Sequence, residues 1–301
     1  MQSYIPDFLI ELLKNQYGQE LTNKIIDGYN KKRYLTFRVN TLKSNNEEIE
    51  EVLNKNNIQY QKSNIINEAY ILDNLDKLNI EKLDIYNEGK IYMQSLSSML
   101  PPIILDPKPS FDILDMTAAP GGKTTQIAAI TKNQAHITAC ELNKIRAQKL
   151  KYNIEKQGAS CVYCMVQDAK NIDDFFSFDQ ILLDAPCSGS GTLNSLDNNI
   201  TKYFTKELIE KSVKAQTSLL KKAVKLLKSG SQMIYSTCSI LQLENEDVVN
   251  SILKNNNIEV VPIEDEFIKN IPLLPTKING TICVCPNELY EGFYVAKLRK
   301  K

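Results

Sequence analysis

From residue 111 onward, apolar residues fall into short, nearly continuous runs that are separated by longer amphipathic stretches. The runs have the length of buried strands and cover residues 111–116, 136–140, 161–166, 178–183 and 232–235. The amphipathic stretches have the apolar spacing of helices and cover residues 123–131, 143–157 and 205–228. Strands that alternate with helices in this way predict an α/β fold with a doubly wound parallel sheet.

The first part of the chain has a different pattern, which predicts a small α+β unit. Residues 5–30 have the spacing of two short helices, residues 34–40 form a β-rich run, and residues 47–53 form an amphipathic helical stretch. We therefore expect two domains, residues 1–85 and residues 86–301.

The balance of charges argues against a protein that binds nucleic acid through bulk positive charge. Lys+Arg and Asp+Glu number 36 each, and the sequence pI is about 6.6. Local basic patches still bind phosphates, and the candidates are residues 31–33 and the basic side chains among residues 297–301. The lysines of residues 205–228 are interpreted as the solvated face of a helix.

No segment is typical of export or of membrane insertion. The first residues lack the basic region of a signal peptide, and no apolar run approaches the roughly 18 residues of a spanning helix. We expect a cytoplasmic, monomeric protein with seven reduced cysteines. The pairs Cys161/Cys164 and Cys283/Cys285 lie in strand-like runs, so we expect no metal site. The only histidine, His136, is expected to be packed in its strand, which excludes a Ser–His or Cys–His catalytic pair.

A loop of small residues follows the first predicted strand and is the candidate cofactor site. It differs from a phosphate-binding loop at Thr117, where that motif needs glycine, and the dinucleotide pattern Gly-x-Gly-x-x-Gly is absent. Pro120 removes an amide donor that a phosphate would use. Such a loop suits S-adenosylmethionine, which carries no phosphate. The candidate cofactor-binding residues of the loop are Thr117, Ala118, Ala119, Pro120, Gly121, Gly122 and Lys123.

Acidic residues follow the next two predicted strands. Glu141 is placed to accept hydrogen bonds from ribose hydroxyls, and Asp168 is placed to accept from the adenine amino group. The alternative is that both carboxylates only cap helices. Because three strand ends in register carry suitable groups, we favour the cofactor interpretation.

Two further strand ends carry cysteines, Cys187 and Cys238. Ligands of such sheets bind at the carboxyl ends of the strands, so we expect both thiols to lie in the cleft of the cofactor's methyl group. Thiols beside a methyl donor suggest attack on an aromatic ring that is not itself nucleophilic. Carbon 5 of cytosine is such a position, because it takes up a methyl group only after a nucleophile has added at carbon 6, and a thiolate suits this addition. Asp184, on the same loop as Cys187, is the candidate for hydrogen bonding at ring nitrogen 3.

Three motifs stand out: Ala-Ala-Pro-Gly-Gly-Lys at residues 118–123, Asp-Ala-Pro-Cys-Ser-Gly at 184–189 and Ser-Thr-Cys-Ser at 236–239. With shorter similarities at residues 37–43, 94–98, 244–246 and 291–296, they resemble the Sun/Nop-type family of RNA cytosine-5 methyltransferases. The resemblance implies a Rossmann-like methyltransferase sheet, S-adenosylmethionine as cofactor, and rRNA or tRNA as substrate. The resemblance covers about residue 34 to the end of the given sequence. We expect residues 86–301 to be the catalytic domain and residues 1–85 an RNA-binding domain.

Carried over residue by residue, the resemblance implies that Cys238 is the nucleophile and that Cys187 is needed for product release. Asp184 contacts the target base and is also counted among the cofactor-binding residues, and Lys123 lies close to the base. DNA cytosine methyltransferases attack with the Pro-Cys thiol instead, which would reverse the roles of Cys187 and Cys238.

Two features leave the RNA substrate open. First, the family usually has more polar residues, often with a proline, at the positions of Gln242 and Leu243. Second, we recognise no additional RNA-binding module. The alternatives are a DNA cytosine methyltransferase and a non-catalytic RNA-binding factor for ribosome assembly. The intact cysteines and cofactor loop argue against the non-catalytic alternative.

Overall fold

The computed structural model describes residues 4–72, 77–195, 197–254, 257–264 and 268–301. Backbone contacts divide the chain into two compact units. We call Tyr34–Leu182 the central unit, and the combination of Met1–Arg33 with Leu183–Lys301 the terminal unit.

Among the described residues, the helices are α1 (Asp7–Asn30), α2 (Asn46–Lys55), α3 (Lys77–Ile80), α4 (Asp84–Asn87), α5 (Leu96–Leu105), α6 (Gly122–Ile130), α7 (Lys144–Gln157), α8 (Ile200–Tyr203), α9 (Lys206–Leu226) and α10 (Glu246–Leu253). The strands are β1 (Leu35–Val39), β2 (Tyr60–Lys62), β3 (Ala69–Leu72), β4 (Ile91–Met93), β5 (Asp112–Asp115), β6 (His136–Cys140), β7 (Val162–Met165), β8 (Phe178–Asp184), β9 (Leu227–Thr237), β10 (Ile258–Val260), β11 (Leu273–Leu274), β12 (Ile282–Val284) and β13 (Phe293–Lys300). Each of the five strands and three helices predicted from residue 111 onward has a counterpart here.

The first half of the central unit contains a four-stranded antiparallel sheet in the order β2-β3-β1-β4. Phe37 of β1 and Tyr70 of β3 stack in its apolar core, with ring centroids 5.3 Å apart. β1 pairs with both β3 and β4, so it joins the two sides of this sheet. Because β4 follows residue 85, the sheet extends past the expected domain boundary, and the division at residue 85 stays a prediction.

The second half of the central unit contains the parallel strands that the apolar runs predict. β5 pairs with β6 and β8, and β6 pairs with β7, which gives the order β8-β5-β6-β7. α6 follows β5 and α7 follows β6, whereas only the 3-10 turn Ala169–Asn171 follows β7. The predicted α/β fold, with a Rossmann-like sheet and a small N-terminal α+β part, is confirmed.

The expectation that His136 is packed in its strand is wrong. His136 is exposed, and its Nδ1 lies 3.3 Å from Oδ1 of Asp112. The physical reason is its position: His136 is the first residue of β6 and stands in register with Asp112, the first residue of β5, where the sheet still faces solvent.

The terminal unit combines helices with antiparallel strands. α1 bends at Gly18, whose φ of 77° is not helical, and it therefore corresponds to the two short helices that the sequence predicts. β13 pairs in antiparallel register with β9, β10 and β12. This pairing runs along residues 232–237 of β9, which makes the last predicted strand longer than its apolar run. Within the part of the chain that the structure describes, no helix has the length and apolar content needed to cross a bilayer.

A close backbone contact in the terminal unit yields a stability prediction. A Cβ added at Gly28 of α1 would lie 2.0 Å from the carbonyl oxygen of Pro286, so backbone must move to admit it. We expect Gly28→Ala to lower the free energy of unfolding by about 1–3 kcal/mol, despite the higher helix propensity of alanine. Urea denaturation measures this, with the exposed Ser229→Ala as a control that should change stability by less than about 0.5 kcal/mol. A Gly28→Ala variant as stable as the parent chain would contradict the contact.

Candidate active site

The candidate cofactor loop begins at the buried end of β5. Asp115 is 1% exposed, and its Oδ2 accepts a hydrogen bond from Thr124 Oγ1 at 2.7 Å. Thr124 lies in the first turn of α6, so this bond ties the strand end to the helix that follows the loop. The loop between them is short, and Ala118 and Ala119 within it are buried.

The backbone of this loop is fixed by α7. Arg146 donates to the carbonyl oxygen of Ala119 at 2.7 Å, and Asn153 donates to that of Pro120 at 2.8 Å. Gly121 has a φ of 109°, and a Cβ there would lie 3.0 Å from Leu150 Cδ1. The conformation therefore requires glycine at residue 121 and small residues around it.

A buried arginine holds the start of α6. Arg38, on β1, is 2% exposed; it donates to the carbonyl oxygen of Gly122 at 3.1 Å and to Thr125 Oγ1 at 2.8 Å. Burial lowers the pKa of the Arg38 guanidinium to about 10. Lys123, predicted to lie near the target base, donates to Ser98 Oγ at 2.7 Å. The only sequence signal for Arg38 is its place in the family-like run at residues 37–43.

The two acidic candidates have different surroundings. Glu141 is 4% exposed; its Oε1 accepts from the amide of Asn143 at 2.8 Å, and its Oε2 lies 3.6 Å from Arg146. Asn143, not Glu141, caps α7. Asp168 does cap a helical turn, because its Oδ1 accepts from the amide of Lys170 at 3.0 Å. The capping alternative thus describes Asp168 better than Glu141.

In the terminal unit, the structure brings Cys187 and Cys238 together. Their sulfur atoms lie 2.8 Å apart, and both thiols are free. The hydrogen bond with Cys238 and burial raise the pKa of Cys187 well above its ordinary range. Asp184 ends β8, and its Oδ1 accepts from Ser236 Oγ at 2.8 Å.

Backbone hydrogen bonds hold the two cysteine loops side by side. The amide of Ala185 donates to the carbonyl oxygen of Ser236 at 2.8 Å, and the amide of Gly191 donates to that of Cys238 at 2.9 Å. A Cβ at Gly191 would lie 2.0 Å from the carbonyl oxygen of Gly292, so glycine is required for this close approach. The spacing of the thiols is therefore a property of the paired loops and not of two flexible side chains.

Glu244 lies at this site and connects the two cysteine loops. It is fully buried and accepts hydrogen bonds from Ser188, next to Cys187, and from Ser239, next to Cys238. The only sequence signal was its position in the family-like run at residues 244–246.

α1 supports the loop that carries Cys238. Gln16 donates from Nε2 to the carbonyl oxygen of Ile240 at 3.0 Å, and its Oε1 accepts from the amide of Gln242 at 3.0 Å. Tyr17 also donates to Ile240, at 2.7 Å. Gln242 departs from the family pattern, and here its N–H makes a hydrogen bond that a proline has no hydrogen to make.

Members of both predicted RNA-binding patches make contacts within the protein. Arg33 donates to the carbonyl oxygen of Thr192 at 3.2 Å, and Lys300 donates to those of Val224 and Leu227 at 2.9 and 2.7 Å, at the end of α9. These two side chains therefore stabilise the fold. The described residues contain no group of three or more His, Cys, Asp or Glu side chains placed to hold a metal ion.

Comparison with known proteins extends these observations. The model of the 16S rRNA methyltransferase RsmB/F family matches residues 102–299, and that of the RsmF/B-like ferredoxin-like domain matches residues 5–78. The chain is 33% identical over 278 residues to a Pyrococcus abyssi protein named tRNA (cytosine(49)-C(5))-methyltransferase, covering 88% of each protein. It is 33% identical to ribosomal RNA small subunit methyltransferase F of Shewanella loihica, with 88% of this chain aligned, but it spans only 56% of that relative.

A solved structure shows the same fold over the full length. A methyltransferase homolog protein from Pyrococcus horikoshii superposes with a TM-score of 0.81 at 30% identity, covering 99% of this chain and 100% of that one. The family model matches more than half of the chain and includes both cysteine loops and the glycine loop. The chain therefore belongs to the RsmB/F-type family of RNA cytosine-5 methyltransferases, which confirms the resemblance carried by its motifs.

Proposed function

We propose that the protein transfers the methyl group of S-adenosylmethionine to carbon 5 of a cytosine in rRNA or tRNA, through a covalent bond between Cys238 and carbon 6. The observation that carries this proposal is the pair of free thiols, 2.8 Å apart on two loops held in register. Relatives named for tRNA and for rRNA substrates are both similar to the chain, so the proposal covers both RNA classes.

Features of the central unit fit S-adenosylmethionine. The loop over residues 117–122 carries only small side chains and α7 fixes its backbone, so a ligand can approach it closely. Glu141 offers a nearly buried carboxylate for vicinal hydroxyls. We assign cofactor binding to Thr117 through Lys123, Glu141 and Asp168, together with Asp184. When bound, this cofactor supplies an electrophilic methyl group.

The thiol pair supports distinct roles for its two members. Cys187 keeps its proton at neutral pH, because its pKa is raised, and its S–H can donate to the sulfur of Cys238. A hydrogen bond to the charged form stabilises a thiolate. Cys238 then forms the sulfur–carbon bond at carbon 6, and Asp184, oriented by Ser236, is assigned to ring nitrogen 3.

Release requires removal of the proton from carbon 5, after which the bond between Cys238 and carbon 6 breaks. Once Cys238 is bonded to the base, it no longer carries the charge that accepts the hydrogen bond of Cys187. The main cause that raises the pKa of Cys187 is then gone, so this thiol loses its proton more easily than before the attack, while burial and Glu244 still raise its pKa. We assign Cys187 to this step, and Lys123 to the vicinity of the base.

The proposal also covers the domain division, the cellular location and the state of the target base. Residues 1–85 form an RNA-binding domain and residues 86–301 the catalytic domain of a cytoplasmic monomer. The target cytosine is unpaired, because extruding a paired base costs a few kcal/mol.

The roles of the two thiols can be separated on a denaturing gel with labelled substrate RNA. We expect Cys187→Ala to accumulate a slowly migrating RNA–protein adduct, because attack and methyl transfer proceed but elimination fails. Cys238→Ala should form no adduct and no methylated RNA, because addition at carbon 6 needs its thiolate.

Cys161→Ala is the matched control, since Cys161 is a free thiol of the central unit, and it should behave like the parent protein. An adduct that survives only in Cys238→Ala would show the reversed roles of the DNA enzymes. Efficient methylation of duplex DNA in place of RNA would overturn the substrate assignment.

Binding of the methyl donor can be tested by thermal shift and calorimetry. S-adenosylmethionine should raise the melting temperature, and Glu141→Ala should weaken binding about 10- to 100-fold, which corresponds to the loss of hydrogen bonds to a charged group. The control is Glu155→Ala, an exposed carboxylate on α7, which should leave binding unchanged. Stabilisation by ATP or NAD, and none by S-adenosylmethionine, would refute the cofactor assignment.

A further inference from the structure

Glu244 is a fully buried carboxylate in the terminal unit, and four donors surround it. Its Oε1 accepts from the amide of Ser188 at 2.7 Å and from Nε2 of Gln216 at 3.2 Å. Its Oε2 accepts from Ser188 Oγ at 2.5 Å and from Ser239 Oγ at 2.6 Å. Among the described residues, no lysine, arginine or histidine forms an ion pair with it, so hydrogen bonds alone satisfy the carboxylate.

The hydroxyl protons around Glu244 have a fixed direction. Ser239 has one hydroxyl proton, which it donates to Glu244, while its oxygen accepts from the amide of Leu241 at 3.1 Å. Ser190 lies 2.8 Å from Ser239 and accepts from the amide of Ile240 at 3.0 Å, so its own proton points to Ser239. The hydroxyl protons of Ser190 and Ser239 therefore both point along the network toward Glu244. This direction is required because a carboxylate can only accept hydrogen bonds.

This arrangement is not symmetric between the two cysteines. The residue after Cys187 donates twice to Glu244, through its amide and its hydroxyl, whereas the residue after Cys238 donates once. Glu244 thus accepts from a backbone amide of the Cys187 loop, whereas its contact with the Cys238 loop is made by a side chain alone. A second negative charge close to a buried carboxylate is unfavourable.

We propose that Glu244 is a positioning residue that holds the two cysteine loops in register and keeps the proton of the thiol pair on Cys187, so that Cys238 carries the thiolate. This inference rests on the proposed function for the base that the thiolate attacks. The distribution of the proton itself needs neither RNA nor methyl donor.

The titratable groups around Cys187 agree with this assignment. They are Cys238, Glu244 and the buried Tyr235, whose hydroxyl donates to the backbone oxygen of Glu244 at 2.6 Å. Burial raises the pKa of Tyr235 well above its ordinary range, so it stays neutral. The hydrogen bond with Cys238 and burial are the two largest causes of the raised pKa of Cys187. The charges of Cys238 and Glu244 raise this pKa further. Of the two thiols, Cys187 is therefore the one on which a negative charge is opposed by the hydrogen bond with its neighbour, by burial and by Glu244.

The test is the rate at which iodoacetamide alkylates each thiol of the whole protein, measured by peptide mass spectrometry as a function of pH. In the parent protein Cys238 should react faster than Cys187 at neutral pH. In Glu244→Gln the ratio of the two rates should fall about tenfold, the equivalent of one pKa unit, and the Cys187 profile should move to lower pH. The same ratio and the same profile in both proteins would overturn the inference, even if the melting temperature fell.

Two further variants separate charge from shape. Glu244→Asp keeps the negative charge on a shorter side chain, so Cys238 should keep its preference although the melting temperature falls. An equal loss of preference in the Asp and Gln variants would overturn the charge argument, and the Asp variant can be read even where the Gln variant does not fold. Glu246→Gln is the matched control, because Glu246 is a buried acidic residue two positions away whose Oε1 accepts from the backbone amide of Lys277. This variant should leave both rates unchanged.

This result is independent of the proposed reaction. A changed alkylation ratio in Glu244→Gln, together with no RNA adduct in Cys187→Ala, would retain the role of Glu244 and remove the proposed function. An unchanged ratio, together with the expected adduct, would remove the role of Glu244 and retain the proposed function.

Discussion

The geometry of the thiol pair depends on one constraint: a carboxylate with no access to water must have its hydrogen bonds supplied by the protein. Glu244 meets this condition by drawing on both cysteine loops and on Gln216 of α9. Leaving such a group unsatisfied costs more than a typical hydrogen bond contributes, so the loops have little freedom to separate. The distance between Cys187 and Cys238 therefore depends on Ser188 and Ser239 as well as on the backbone hydrogen bonds between the two loops.

The central unit uses the same principle around its glycine loop. Asp115 and Arg38 are charged groups taken out of water, and each makes hydrogen bonds to the first turn of α6. Arg38 remains protonated at neutral pH even though burial lowers its pKa to about 10. The backbone of the glycine loop is thus fixed by buried polar contacts from neighbouring elements, while the loop itself keeps small side chains.

The sequence predicts the parts of this architecture that depend on local pattern. β6 covers the predicted residues 136–140, and the motifs identify both cysteine loops because their residue types lie next to each other in the chain. The pattern says nothing about Glu244 or Arg38, whose partners lie 56 and 87 residues away. The prediction that His136 is packed is wrong for a related reason, because periodicity identifies a strand but not which of its ends faces solvent. The extension of β9 from Tyr235 to Thr237 accompanies its pairing with β13, which lies more than 50 residues further along the chain.

The support that α1 gives to the Cys238 loop has a consequence for the order in which the protein takes shape. Gln16 and its partner Ile240 are separated by 224 positions, and the central unit occupies the chain between them. During synthesis, the central unit is completed as one continuous stretch of chain. At that stage residues 1–33 are present, but residues 183–301, the other part of the terminal unit, have not yet been made. Contacts of such large sequence separation close late, because a long loop must first be ordered. Cys238 therefore gains its contacts with α1 only after the whole central unit, with its glycine loop, has been synthesised.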